Sequence, residues 1–152
     1  MCGIAGIMYK TGGTLGATGK ALIEMLDGCQ HRGPDSTGFA LYGAAANDRL
    51  RLRFFVGEGD DAGATVERIK ASLAEHGASV VEDQMVGNNY RCTVTFTGDI
   101  QKFAYAMEHA AKVISIGSSL EIVKDVGSAH EVDDRYCVHE FRGTHGLGHV
   151  RL

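Results

Sequence analysis

The apolar positions of the chain change period several times, and each change predicts a new element. Residues 3–9, GIAGIMY, are apolar on both faces, which predicts a strand buried between two layers. The glycine-rich stretch TGGTLGATG (11–19) follows as a turn. Leu22, Met25, Leu26 and Cys29 then recur at i, i+3, i+4 and i+7, predicting an amphipathic helix with Thr18 as N-cap and an end near His31. The loop HRGPDSTG (31–38) leads into a second apolar strand, Phe39 to Gly43.

From Ala44 the texture shifts. Leu50, Leu52, Phe54 and Val56 alternate with Arg49, Arg51, Arg53 and Phe55, the period-two pattern of a half-buried strand. Val66, Ile69 and Leu73 keep helical spacing, with Asp61 as candidate N-cap and Gly77 at C′. SVVEDQM, a turn at Gly87-Asn88-Asn89, and YRCTVTF predict a hairpin. One face of its second strand carries Tyr90, Cys92, Val94 and Phe96, and the other Arg91, Thr93 and Thr95.

Asp99 caps a third helical stripe of Ile100, Phe103, Ala104, Met107 and Ala111, and VISIG and LEIVKDV supply more strand. The order β-α-β-β-α-β from about 49 to 127 is that of the split βαβ, or ferredoxin-like, unit. HEVDDRY reads as a polar connector, after which the glycine-rich texture of the first fifty residues returns. The expected organisation is a host domain of residues 1–45 and 138–152, interrupted by an inserted domain of residues 46–137. The host halves offer only three or four strands and one helix, thin for a two-layer core, and the chain stops within an apparent strand, GLGHVRL; a C-terminally truncated domain is expected.

Composition narrows the function classes. With a formal net charge of -4 and both signs interspersed, the chain has no basic face for a phosphate backbone, so nucleic acid is not an expected partner. No apolar run approaches the roughly 20 residues of a membrane helix, and no signal peptide is visible, so a cytoplasmic, membrane-free protein is expected. Four cysteines (Cys2, Cys29, Cys92, Cys137) without a CxxC pair fit reduced thiols better than a disulfide framework or a zinc site. His145 and His149 have HxxxH spacing, but the glycines around them disfavour a helix. On a strand, residues four apart lie ~13 Å apart, too far to share one zinc. No metal or cofactor is implied.

Cys2 is the residue with candidate chemistry. Removal of Met1 would leave it N-terminal, with an α-amine of reference pKa ~7.7–8 within reach of a thiol of reference pKa ~8.5, nucleophile and base on one residue. The bland alternative is a small buried hydrophobe, and position alone favours it. Cys29 and Cys92 share the apolar stripes of their elements and read as core. HRGPDSTG concentrates a proline, two glycines and five polar side chains between a helix and a strand, where functional loops sit; a simple helix stop and turn is the alternative.

MCGIAGI, then HRGPDSTGFALY about thirty residues on, then GLGHVRL, together resemble the class II glutamine amidotransferase domain, an N-terminal nucleophile hydrolase. The resemblance covers roughly the first 45 and last 15 residues. It implies an α/β (α+β) fold, part of a four-layer αββα sandwich, here interrupted by the ferredoxin-like βαββαβ insertion. It also implies a reaction: Cys2 attacks the carboxamide of glutamine, a γ-glutamyl thioester forms, ammonia passes to a partner synthase, and water releases glutamate. Cys2 matches the nucleophile and Arg151 the arginine that holds the substrate α-carboxylate, a task for a planar bidentate fork. Arg32, Gly33 and Asp35 fall in the family's loop beside the nucleophile, in supporting roles. The asparagine-glycine pair of the oxyanion hole and the aspartate that binds the substrate amine have no match within 152 residues, so this stretch alone is expected to be a poor glutaminase. The insertion and the loop form look most like subunits accompanying glutamate-synthase-type or N-methylglutamate-synthase-type partners. A catalytically inert module, whose insertion docks a ligand or partner, is the rival reading; assembly as a homo- or hetero-oligomer stays open.

Overall fold

The computed structural model describes residues 2–11, 15–33, 35–57 and 59–152. Among the described residues it has two antiparallel four-stranded sheets and four α-helices, in two compact units. Among the described residues, no helix is long and apolar enough to cross a membrane.

The first unit comprises Met1–Ala45 and Ser119–Leu152. Its strands are β1 (Gly3–Met8), β2 (Ser36–Tyr42), β7 (Leu120–Val126) and β8 (His145–Arg151), in the order β1-β8-β2-β7. Helices α1 (Thr18–Asp27) and α4 (Ala129–Tyr136) contribute Leu22, Ile23, Leu26, Ala129, Val132 and Tyr136 to its buried side chains, with Phe39, Leu41, Val123 and Val150 from the strands.

The glycines of β8 explain how α1 lies against the sheet. A Cβ on Gly146 would come within 2.9 Å of Leu22 Cδ1 and Thr18 Cγ2, and one on Gly148 within 2.7 Å of Leu26 Cδ1. Both distances are shorter than van der Waals contact allows, so only hydrogen at these positions lets the helix pack this close. Gly19, on the helix, lies against the Val138 carbonyl, and the Thr18 hydroxyl donates to the Gly143 carbonyl at 2.9 Å. Thr18 is thus buried and tied inward rather than capping: the N-cap is Ala17, without a side-chain bond. The buried stripe is Leu22, Ile23 and Leu26, while Met25, expected inside, is 43% exposed.

The second unit, Ala46–Ser118, holds β3 (Arg49–Phe55), α2 (Asp60–Glu75), β4 (Ser79–Val86), β5 (Asn89–Thr95), α3 (Ile100–Ala110) and β6 (Lys112–Gly117). Its sheet runs β4-β5-β3-β6. Leu50, Leu52, Phe54, Tyr90, Cys92 and Val94 form one core with Ile69 and Leu73 of α2 and Phe103 and Met107 of α3. The hairpin turns at Gly87-Asn88 with Gly87 at φ 59°, and Gly77 follows α2 at φ 77°, positions where a side chain would be strained. Asp99 caps α3 by accepting from the amides of Gln101 and Lys102. Helix α2 begins one residue before the expected cap, with Gly59 as N-cap in place of Asp61.

Three further expectations give way. The inserted unit ends at Ser118, not 137, because LEIVKDV pairs along β2, with Phe39 opposite Val123 and Leu41 opposite Glu121. HEVDDRY lies within helix α4, started by a Ser128–Glu131 capping box: Glu131 N donates to Ser128 Oγ and Ser128 N to Glu131. β1 is also not covered on both faces in this chain, since Ile4 is 73% and Met8 72% exposed.

Candidate active site

β1 and β8 run antiparallel with Gly3 opposite Val150, so the residues one step further out are Cys2 and Arg151. Both are exposed. Along β8, Gly146, Gly148 and Val150 turn to the buried side, leaving Leu147, His149 and Arg151 on the open side. A Cβ on Gly3 would sit 2.9 Å from Val150 Cγ2 and 3.0 Å from Cys29 Sγ, so a larger residue there would push these side chains aside. The chain directly after Cys2 is therefore wedged between β8 and the end of the segment following α1. Cys29 is half-buried beside it, outside the helix and not on its apolar stripe.

On its other side β8 pairs with β2, Ser36 opposite Arg151 and Gly38 opposite His149. The loop ahead of β2 closes onto the same spot. Asp35 N donates to the Arg151 carbonyl at 3.0 Å, and a Cβ on Gly33 would lie 2.5 Å from Arg151 N and from Val150 C. Arg32 ends a 3₁₀ turn of residues Gln30–Arg32 and is exposed, and Pro34 lies outside the described residues. Cys2, Arg151, Gly33 and Asp35, scattered over the whole sequence, thus gather at one end of one sheet.

What holds the loop there was not legible in the sequence. Gln30 bridges two segments, donating through Nε2 to the Gly33 carbonyl at 2.8 Å and accepting through Oε1 from Ala129 N at 3.0 Å. Gly127 N donates to the Asp35 carbonyl at 2.9 Å, and the Thr37 hydroxyl donates to the Gly127 carbonyl at 2.8 Å. Gly127 has φ 104°, which only glycine adopts without strain. Thr37 is opposite Asp125 in the β2–β7 register, so β7 delivers the bracing turn. Gln30 has no local motif; its partner lies 99 residues away, and only the fold reveals it.

The two histidines of the HxxxH spacing lie on β8. His145 stacks on Tyr42, centroids 4.2 Å apart, with its Nδ1 2.9 Å from Thr144 Oγ1; His149 is two residues from Arg151 on the open face. Chemically, the arrangement offers an accessible thiol, an exposed arginine at the facing end of the neighbouring strand, and a loop whose backbone is fixed by bonds from two other segments.

No family model matches the chain. It is 37% identical over 162 residues to a "Putative glutamine amidotransferase" of Methanothermobacter thermautotrophicus, an alignment covering 100% of this chain and 52% of that protein. It is 30% identical over 156 residues to the "Glutamine amidotransferase-like protein GlxB" of Rhizobium meliloti, covering 100% of this chain and 50% of that one. The chain is a relative of proteins named glutamine amidotransferase. It spans about half the length of these curated relatives.

Proposed function

We propose that Cys2 is the nucleophile of a class II glutamine amidotransferase of the N-terminal nucleophile type. The observation that carries this reading is the convergence of Cys2, Arg151 and the Gly33–Asp35 loop at one sheet end, in a chain aligned end to end with amidotransferase-named proteins. With Met1 removed, the α-amine of Cys2 takes the thiol proton, and Sγ attacks the carboxamide carbon of glutamine. The C–N bond breaks, the proton passes to the leaving nitrogen, and ammonia departs from a γ-glutamyl thioester. Water then attacks the thioester, releasing glutamate and restoring the thiol. The Arg151 fork holds the α-carboxylate of glutamine while Gly33 and Asp35 fix its backbone. Ammonia then passes to a partner synthase.

The αββα sandwich and the ferredoxin-like character of the insertion belong to the same proposal. The open face of the first sheet, with Ile4, Met8, Leu147 and Val126 53–73% exposed, suits a second sheet from sequence such as the other half of the longer relatives. Groups for an oxyanion hole would come from there, and the absence of one such donor typically lowers the rate ~100- to 1000-fold. The test is glutaminase activity of the full-length protein. Cys2→Ala should abolish it, and so should an N-terminal extension that blocks Met1 removal while leaving the circular-dichroism spectrum intact. Glutamine hydrolysis surviving Cys2→Ala would sink the proposal.

A further inference from the structure

Two cysteines from different segments of the chain come together at the start of β1. A Cβ built on Gly3 would lie 3.0 Å from Cys29 Sγ and 3.1 Å from Cys29 Cβ. Bridged cysteines have Cβ atoms ~3.5–4.5 Å apart, so position 3 itself stands at bridging distance from Cys29. Cys2 is one Cα step, ~3.8 Å, further along. Cys92, by contrast, is buried in the core of the second unit, and Cys137 is exposed at the end of α4.

Cys29 is the fixed member of the pair. Its amide donates to the Leu26 carbonyl and its carbonyl accepts from the Arg32 amide, each at 3.0 Å, which ties its backbone into the turn after α1. Its half-buried thiol donates weakly to the Met25 carbonyl at 3.8 Å, a contact easily given up for a covalent bond. Cys2 is the adjustable member. It is exposed and precedes Gly3, the first paired residue of β1, so turning it opens no pair beyond Gly3–Val150. Extended backbone continued through residue 2 aims its thiol at the face opposite Cys29. Gly3 removes both obstacles to turning back: no side chain fills the space in front of Cys29 Sγ, and glycine backbone adopts conformations that other residues avoid.

We propose that Cys2 is a site of oxidation by hydroperoxides and that Cys29 is its resolving thiol, the two closing into a reversible disulfide. The Cys2 thiolate attacks one oxygen of hydrogen peroxide, the O–O bond breaks, and hydroxide leaves and takes up a proton to become water; Cys2 is left as a sulfenic acid. The Cys29 thiolate then attacks that sulfur, the S–O bond breaks, and hydroxide leaves as a second water. The two thiols lose two electrons and the peroxide gains them. A dithiol such as dithiothreitol reverses the bond by thiol–disulfide exchange. None of these steps requires glutamine hydrolysis. A Cys2 held in the disulfide nevertheless has no thiol to offer a carboxamide, so oxidation also switches off the reaction proposed above.

The experiment exposes the full chain, reduced and with Met1 removed, to hydrogen peroxide, quenches with acid and N-ethylmaleimide, and maps the cysteines by peptide mass spectrometry. An intramolecular Cys2–Cys29 linkage is expected, forming at a rate independent of protein concentration and reversed by dithiothreitol. In Cys29→Ser the linkage should be lost, and Cys2 sulfenic acid, trapped with dimedone, should accumulate. Gly3→Ala fills the space between the two sulfurs and should slow the linkage while dimedone still traps Cys2. Should Gly3→Ala fail to fold, Cys29→Ser, an exchange of one atom, decides alone. Cys2 linked chiefly to Cys137 or to a second chain, or passing to sulfinic acid as fast in the unaltered chain as in Cys29→Ser, would overturn the proposal. The linkage is read directly, so loss of the glutaminase reading leaves this result standing, and loss of the linkage leaves that reading standing.

Discussion

The missing side chain of Gly33 sets where Arg151 can be. A methyl group 2.5 Å from Arg151 N and Val150 C has only backbone to push against, and backbone in a paired strand does not yield by a rotamer change. Gly33→Ala is therefore expected to cost about 1–3 kcal/mol in chemical denaturation of this chain. In the full-length protein it should raise KM for glutamine at least tenfold, with a smaller effect on kcat, since the proposed carboxylate clamp moves and the nucleophile does not. Cysteine chemistry separates at the same scale. Burial pushes the Cys92 thiol up to about 12, whereas Cys2 and Cys137 are exposed. Iodoacetamide at pH 8, read by peptide mass spectrometry, should label Cys2 and Cys137 and leave Cys92 unmodified; prompt labelling of Cys92 in folded protein would contradict this packing. Cys92 was legible in the sequence because its strand alternates cleanly. Gln30 was not, since nothing local marks a side chain whose partners are Gly33 and Ala129.

At the scale of elements, the period-two strands and the Val66–Ile69–Leu73 helix were legible because their own core is made by short-range alternation. Helix α1 was legible as a helix but not in its facing, because the facing is dictated by glycines more than a hundred residues away on β8. Helix α4 carried a readable start in Ser128-Ala-His-Glu131, but its polar composition masked the three buried residues Ala129, Val132 and Tyr136. Gly19 is where α1 is most sensitive: with the Val138 carbonyl where a Cβ would go, Gly19→Ala should cost about 3 kcal/mol or more in urea denaturation. In the second unit, Lys70 and the Tyr90 hydroxyl hold the Asp83 carboxyl below the usual carboxylate range. A lowered folded-state pKa adds stability that is present above the unfolded value of ~3.9 and is lost as pH falls through the folded value. The contribution should begin to fall near pH ~4 and be gone only below the lowered folded-state value, and Asp83→Asn should flatten that acid limb of stability against pH.

For the whole molecule, the two units have separate sheets and separate cores, and the chain leaves and re-enters the first unit at neighbouring points. Tyr42 at the end of β2 is opposite Leu120 at the start of β7, and Gly43 N donates to the Ser119 carbonyl at 2.9 Å. Two antiparallel strands with adjacent ends need only a short turn, and hairpin loops of two to five residues satisfy that geometry. Replacing residues 46–118 with Asn-Gly should therefore leave the first unit folded. The backbone signals of β1, β2, β7 and β8 should persist, including the Asp35–Arg151 and Gln30–Ala129 contacts that brace the loop. The border of the insertion was misplaced from sequence because LEIVKDV has the same alternation whichever sheet it joins; pairing along β2, not composition, decides its unit. If the shortened chain lost the pairing of β2 with β7, the insertion would be needed to hold that strand, and the independence of the two cores would be wrong. If pairing survived, Cys2 should keep its reactivity toward iodoacetamide.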